Sequence, residues 1–249
     1  MRLLLINPNT TNALTQRLAA SVSAVLPQDA TLIPTTAATG FPYISSRAEA
    51  QIAGADVLQT LAERQGEYDA AIIAAFGDPG LLAARELFDC PVMGMTESSM
   101  LMALSLGQNF AFVTFSQTLA PWYHEQVRLA GLEGRFGGIW TPTETMKNIS
   151  DVADDLRAPL IDTCLRAAAK ADVLILAGAP IAGLARDIAG DVPCTLIDPV
   201  QAAALQAVSH ARLFPNGACH GSFTRPPGKP STGLSTALSE WILGRPRRE

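Results

Sequence analysis

Aromatic residues make up only 6% of this 249-residue chain, and charged residues only 16%. The scarcity of aromatics argues against base-stacking platforms for single-stranded nucleic acid. The charge that is present is net acidic, with 23 Asp and Glu against 18 Lys and Arg, and no central basic block occurs. Nucleic-acid binding is therefore disfavoured. There are four cysteines, Cys90, Cys164, Cys194 and Cys219. They form no C-x-x-C pair and no regular framework, so they read as free thiols in a reducing compartment. No uninterrupted apolar stretch approaches the ~18 residues of a membrane span. The run from Met1 to Ile6 is too short for a signal-peptide core. A soluble, cytoplasmic protein without membrane contact is expected. His210, Cys219 and His220 lack metal-site spacing, so no metal is assigned. No Gly-x-Gly-x-x-Gly follows the first strand, and neither a Walker-type Gly-Lys-Ser/Thr nor a Gly-x-Ser-x-Gly elbow occurs. No cofactor is expected.

Apolar residues, by contrast, supply 48% of the chain, and they are distributed in a regular way. Short aliphatic runs at Leu3–Ile6, Thr31–Pro34, Ala70–Ala74, Val92–Met95, Phe110–Thr114, Val173–Leu176 and Thr195–Ile197 read as strands. Between them lie amphipathic stretches of helical character: Asn12–Val25, Arg47–Arg64, Pro79–Leu87, Ser98–Leu106, Ala120–Ala130, Val152–Ala171, Ile181–Ile188 and Val200–His210. This alternation predicts an α/β fold of parallel βαβ units with helices on both faces. Near the end, Thr224–Pro230 breaks the pattern. A last helix is expected at Ser235–Leu243 around Trp241, followed by a basic tail.

The chain also repeats itself. Asp69-Ala70-Ala71-Ile72-Ile73-Ala74-Ala75 is echoed by Asp172-Val173-Leu174-Ile175-Leu176-Ala177-Gly178. Each run leads into a short helix containing Leu, Ala and Arg, then into Cys90-Pro91-Val92 or Val192-Pro193-Cys194. Two similar halves place similar strand ends across a cleft, and open α/β sheets bind ligands beyond the carboxyl ends of their strands. The expected site therefore comprises Asn7–Thr11, Ala75–Gly80, Thr96–Ser99, Thr114–Gln117 and Gly178–Ile181.

Each segment has a chemical and a merely structural interpretation. Asn9 or Thr10 would cap the following helix, or hold a ligand carboxylate with spare amides. Asp78 is placed to cap a helix with Pro79 at its first position; as a general base it would have to face the cleft instead. The amides of Gly77 and Gly178 are candidate donors to an enolate or oxyanion. Thr96, Ser98, Ser99, Thr114 and Ser116 sit at strand ends, where hydroxyls cap helices or bind polar ligands. Glu97 follows a strand and is a candidate acid/base group or a solvated side chain. His124 reads as a surface or packing residue.

Ile6-Asn7-Pro8-Asn9-Thr10, Phe76-Gly77-Asp78-Pro79-Gly80-Leu81, Pro91-Val92-Met93-Gly94-Met95-Thr96-Glu97 and Pro193 through Asp198 together resemble the Asp/Glu racemase superfamily. The hydantoin and allantoin racemase branch is the most similar. The resemblance runs from Leu4 to about Leu213. It implies two pseudo-symmetric, Rossmann-like α/β halves with the active site in the cleft between them: residues 1–95 with 199–213, then 96–198, with 214–249 as a C-terminal extension. It also implies a homo-oligomer.

Racemases of that family use two cysteines, one per half, on opposite faces of a carbon beside a carbonyl. At the matching positions this chain has Ala75 and Gly178, and neither can carry a proton. The resemblance thus implies an enzyme on a small carboxylate or cyclic ureide. Its cysteine-independent reaction would be of isomerase, lyase or hydrolase type. Asp78 or Glu97 would be the acid/base group, and Asn9, Thr10, Phe76, Gly77, Thr114, Ser116, Gly178 and Ala179 would bind the substrate. Two alternatives stand beside it: a hydantoin or amino-acid racemase with a substitute base, and a non-catalytic binder of a small acid.

Overall fold

The computed structural model describes residues 1–143 and 156–244. Its eight strands form two four-stranded parallel sheets. The first contains β1 (Arg2–Asn7), β2 (Thr31–Thr36), β3 (Ala70–Ile73) and β4 (Val92–Gly94), in the order β2-β1-β3-β4. The second contains β5 (Phe110–Val113), β6 (Phe136–Trp140), β7 (Val173–Leu176) and β8 (Thr195–Ile197), in the order β6-β5-β7-β8. The two orders are the same, so the internal repeat is a repeat of topology.

The central strands β3, β5 and β7 are buried along their whole length, and β1 is buried from Leu3 to Asn7. Covered on both faces, they consist of unbroken aliphatic and aromatic runs rather than alternating ones. The edge strands β2 and β6 are less buried. Pro34, which has no amide to donate, is tolerated in β2 because β2 is an edge. Strand β6 has no counterpart among the runs read from sequence. Its Phe-Gly-Gly-Ile-Trp segment carries two glycines and lacks a β-branched run. It forms by pairing with β5. Part of the helix expected at Val152–Ala171 lies outside the described residues; its remainder is Arg157–Ala168.

Helices α1 (Asn12–Ser23), α2 (Arg47–Glu63) and α3 (Leu81–Leu87) connect the first four strands. Helix α2 begins with a capping box, in which Ser46 and Glu49 satisfy each other's backbone amides. Helices α4 (Met95–Ala103) and α8 (Pro199–Leu213) follow the two sheets, and α5 (Ala120–Leu129), α6 (Arg157–Ala168) and α7 (Leu184–Asp187) lie within the second. Helix α4 packs on α8 and reaches β7, whereas α8 packs on β3 and β4. Each sheet therefore sends its last helix to the other sheet. Alanines on the buried face of α8, including Ala203, Ala204 and Ala207, leave room for the crossing.

One core cluster runs through both halves. A second lies on the outer side of the first sheet and is closed by α9 (Thr236–Leu243) through Leu238 and Trp241. There Trp241 stacks on Phe88, with centroids 5.4 Å apart, and its indole N–H donates to the Leu87 carbonyl at 2.7 Å. Arg225 lies over the indole, 4.9 Å from the ring centroid, and pairs with Asp89 at 3.0 Å. These contacts fix the C-terminal segment to the α3–β4 corner.

Candidate active site

In each sheet the chain leaves the first strand in one direction for its second and in the other for its third. The strand order reverses between β1 and β3, and again between β5 and β7. Such switch points open crevices at the carboxyl ends of the strands. The loops at these points are Asn7–Thr11 and 74–80 in the first half, and 114–117 and 177–183 in the second.

In the first loop Asn7 is a buried hub. Its Nδ2 donates to Asn9 Oδ1 at 3.1 Å and Thr15 Oγ1 at 2.9 Å. Asn9 Oδ1 also accepts from the Thr11 amide at 3.0 Å. With its oxygen so engaged, Asn9 presents Nδ2, which bonds to no described residue. The cap of α1 is Thr11, which makes no side-chain cap bond. The capping role expected of Asn9 or Thr10 is thus corrected: Asn9 lies two residues ahead of the cap and accepts the cap residue's own amide. The Thr10 amide donates to Phe41 O at 2.9 Å and the Thr11 hydroxyl to Pro42 O at 2.7 Å. These bonds tie the 40–43 loop to the end of β1.

The loop after β3 departs from expectation at Asp78. Helix α3 starts at Leu81 with Gly80 as its cap, so Asp78 is not the cap of that helix. Its side chain crosses instead to the start of α4, where Oδ1 and Oδ2 accept the Thr96 and Glu97 amides at 2.8 Å each. A carboxylate at a helix N-terminus satisfies otherwise unpaired amides and the helix dipole. Asp78 takes φ 48°, the one non-glycine positive φ among the described residues. Gly94 makes room for it: a Cβ there would lie 2.3 Å from Asp78 Cγ. Burial pushes the Asp78 carboxyl up to about 6 against the pull of its amide donors.

The amide of Gly77 is not a spare donor either. It donates to Thr96 Oγ1 at 2.5 Å, which corrects its expected role as an anion donor. Among the described residues, the amides of Ala75 and Phe76, and of Gly178 and Ala179, have no acceptor. These are equivalent pairs in the two repeats, and they hold the donor role more directly than Gly77.

The second half mirrors the first with different residues. Asp198, at the head of α8, accepts from the Val200 amide at 3.1 Å, from Gly183 N at 2.5 Å and from Ser21 Oγ at 2.7 Å. In the first half a loop aspartate grips a helix; in the second a helix aspartate grips a loop. Gly178 takes φ +133°, and a Cβ there would lie 2.6 Å from a ring carbon of Phe115. The place of a side chain at 178 is filled from across the loop. Over Gly77 the Trp122 ring does the same, at 2.2 Å from an added Cβ.

Thr114 is fully buried and Ser116 partly so, with Ser116 Oγ 2.8 Å from Thr118 Oγ1. Glu97 does not join this group. Its carboxylate pairs with Arg85 through bonds of 3.1 and 2.5 Å. It lines a separate cavity of about 580 Å³ with Met93, Leu101, His210 and Phe214. His124 is exposed and packs edge-on against Phe136. The thiols stand apart from the cleft loops, and burial raises Cys90 and Cys164 to about 12. Among the described residues no His, Cys, Asp and Glu cluster could hold a metal, and no helix is long and apolar enough to cross a membrane.

Of the cleft aromatics, only Phe76 and Phe115 fall in the segments that the sequence marks. Tyr43, Phe115, Trp122 and Tyr123 all gather there, with Phe76 and Tyr123 centroids 4.7 Å apart and Tyr43 and Phe115 5.9 Å apart. The one available signal is that the chain has only 3 tyrosines, two of which fall in loops or helix starts beside strand ends.

Two α/β halves of the same topology, meeting where the carboxyl ends of their central strands face one another, define a two-half α/β protein with a cleft between the halves. The chain belongs to the Asp/Glu/hydantoin racemase family, whose model matches residues 3–207. It is 31% identical over 240 residues to a hydantoin racemase from Paenarthrobacter aurescens, covering 92% of this chain and 99% of that enzyme. Among solved structures, the allantoin racemase from Klebsiella pneumoniae superposes with a TM-score of 0.89 at 27% identity, covering 96% of this chain and 99% of that one. The allantoin racemase from Pseudomonas fluorescens gives 0.85 at 25% identity, covering 94% and 100%.

Proposed function

We propose that this protein is a racemase-type enzyme acting on a small cyclic ureide of the hydantoin or allantoin kind, with a group other than a thiol exchanging the proton. The observation that carries this is the pair of unpartnered amides at Ala75–Phe76, repeated at Gly178–Ala179. Donors held in place where negative charge develops stabilise an enolate far more than water does. Transfer of the proton beside the ring carbonyl to water in the cleft, which then returns a proton to the carbon, puts that charge on the carbonyl oxygen in the intermediate. Asn9 Nδ2 and the Thr114 and Ser116 hydroxyls hold the remaining polar atoms of the ring. Asp78 acts as a positioning group, because both of its oxygens hold the head of α4 against the loop that carries Ala75 and Phe76. The curated relatives favour proton shift over the lyase and hydrolase readings.

We assign residues 1–95 and 199–213 to one half and 96–198 to the other. The packing of α8 on β3 and β4 supports this division. A cytoplasmic homo-oligomer is likewise proposed from the family.

Proton NMR in D₂O with single enantiomers of 5-substituted hydantoins and allantoin tests the activity. Loss of the ring C–H signal without a new product is expected. A new product would favour lyase or hydrolase chemistry in the same cleft. Because residues 75 and 178 carry no ionisable side chain, a non-catalytic binder is the second reading. It predicts line broadening with the C–H signal retained.

A further inference from the structure

Among the described residues Tyr43 Oη and Thr114 Oγ1 are buried without a hydrogen-bond partner, as is Ser98 Oγ inside α4. Leaving a buried hydroxyl unpaired is unfavourable, and a ligand that completes the bond is one way in which that cost is removed. Tyr43 and Thr114 come from opposite halves. Thr114 directly follows β5, while Tyr43 is carried by the loop bonded to the end of β1 through Phe41 and Pro42. Both lie around Tyr123: deep burial and then the Tyr43 phenol push the Tyr123 hydroxyl up, and the Thr114 hydroxyl pulls it down. Tyr43 also packs on Phe115, the ring that fills the place of a side chain at Gly178.

We propose that Tyr43 and Thr114 form a two-hydroxyl clamp that closes across the cleft on one neutral carbonyl oxygen of the ureide ring. This rests on the ureide reading given above and names the ring atom that is held. A carbonyl oxygen has two lone pairs, so it accepts one bond from each hydroxyl. The walls favour a neutral group. Asn7–Thr11, Ala75–Gly80, Thr96–Ser99, Thr114–Gln117 and Gly178–Ile181 contain no Lys, Arg or His, and Tyr43, Phe76, Phe115, Trp122 and Tyr123 are aromatic. A free amino acid, with its ammonium and carboxylate, is a poorer fit. Tyr43 donates as a neutral phenol, since burial and Glu49 hold its ionisation above the ordinary tyrosine range.

The test is calorimetric binding of a panel of 5-substituted hydantoins and allantoin to the full chain and to Tyr43→Phe, Thr114→Val and the double variant, with thermal melts of the free proteins. Loss of one hydrogen bond weakens binding by about tenfold in each single variant. Because both hydroxyls hold one oxygen, the double variant loses less than the product of the two, about thirtyfold. Tyr43→Phe removes a hydroxyl with no protein partner, so its melting temperature is expected to be no lower than that of the parent. A merely structural tyrosine would lower it by about 2–4 °C per kcal/mol lost. A Tyr43→Phe that binds as tightly as the parent, or that melts well below it, overturns the clamp alone. A parent protein that binds no compound of the panel overturns the ureide reading and, with it, the clamp.

Discussion

Asp78 reaches from the loop after β3 to the head of α4, accepting the Thr96 and Glu97 amides at 2.8 Å each. Burial raises its carboxyl to about 6 from an ordinary value of 3.8. In the folded chain the group therefore keeps a proton over a pH range in which the unfolded chain has lost it. The stability this contributes is present below about pH 4 and is lost as the pH rises through about 6. A rise from 3.8 to about 6 corresponds to about 3 kcal/mol. Asp198 is raised by burial in the same direction. Denaturant melts between pH 4 and 7 are expected to show stability declining, and Asp78→Asn is expected to flatten that decline. An equally steep decline in the variant would show that Asp78 does not titrate in this range.

Position 178 does not accept a thiol without strain. Gly178 combines φ +133° with a Phe115 carbon 2.6 Å from any added Cβ. Gly178→Cys is expected to lower stability by about 2 kcal/mol or more, through backbone strain and overpacking. Ala75→Cys meets no positive φ and should fold normally. Adding Phe115→Ala to Gly178→Cys relieves only the packing conflict and should recover part of the loss. Urea melts of the four proteins read this directly. A fully stable Gly178→Cys would show that the loop re-forms around the new side chain.

The C-terminal segment is held by one buried tryptophan. Trp241 is 9% exposed, stacks on Phe88, bonds the Leu87 carbonyl and carries Arg225 on its face. Trp241→Ala is expected to cost about 3–5 kcal/mol, the usual range for removing a large core side chain. Proteolysis should then begin within 214–244. Uniform cleavage throughout the chain would instead mean that the first half unfolds with the segment.

Glu97 serves α4 and Arg85 rather than the cleft. Its partly exposed pair with Arg85, at 15% and 33% side-chain exposure, contributes about 1 kcal/mol. Glu97→Gln should lower stability by no more than about that amount and leave hydantoin binding within twofold of the parent, about 0.4 kcal/mol on the affinity scale. A large loss of ureide turnover with binding unchanged would return Glu97 to the acid/base candidates.

Most of the architecture was legible in the residues themselves. Aliphatic runs such as Leu3–Ile6 and Val173–Leu176 are unbroken because central parallel strands are covered on both faces. The echo of Asp69–Ala75 in Asp172–Gly178 announced two halves and located the strand ends that face each other. Strand β6 was not legible, since Gly137 and Gly138 give no local strand preference and only pairing with β5 makes the segment extended. Long-range partners were equally hidden. Asp78 and Pro79 look like the start of the next helix, yet Gly94 leaves a gap through which the carboxylate crosses to another. Glu97 follows a strand end, as a cleft residue would, but the helical turn aims it at Arg85. Tyr43 sits in a loop whose spacing carries no signal, and its ring reaches Phe115 of the other half only in the folded protein. Local pattern sets which segments are strands and helices because burial and backbone geometry act within a few residues. Which side chains share the cleft depends on contacts far apart in the chain, and those exist only in the folded protein.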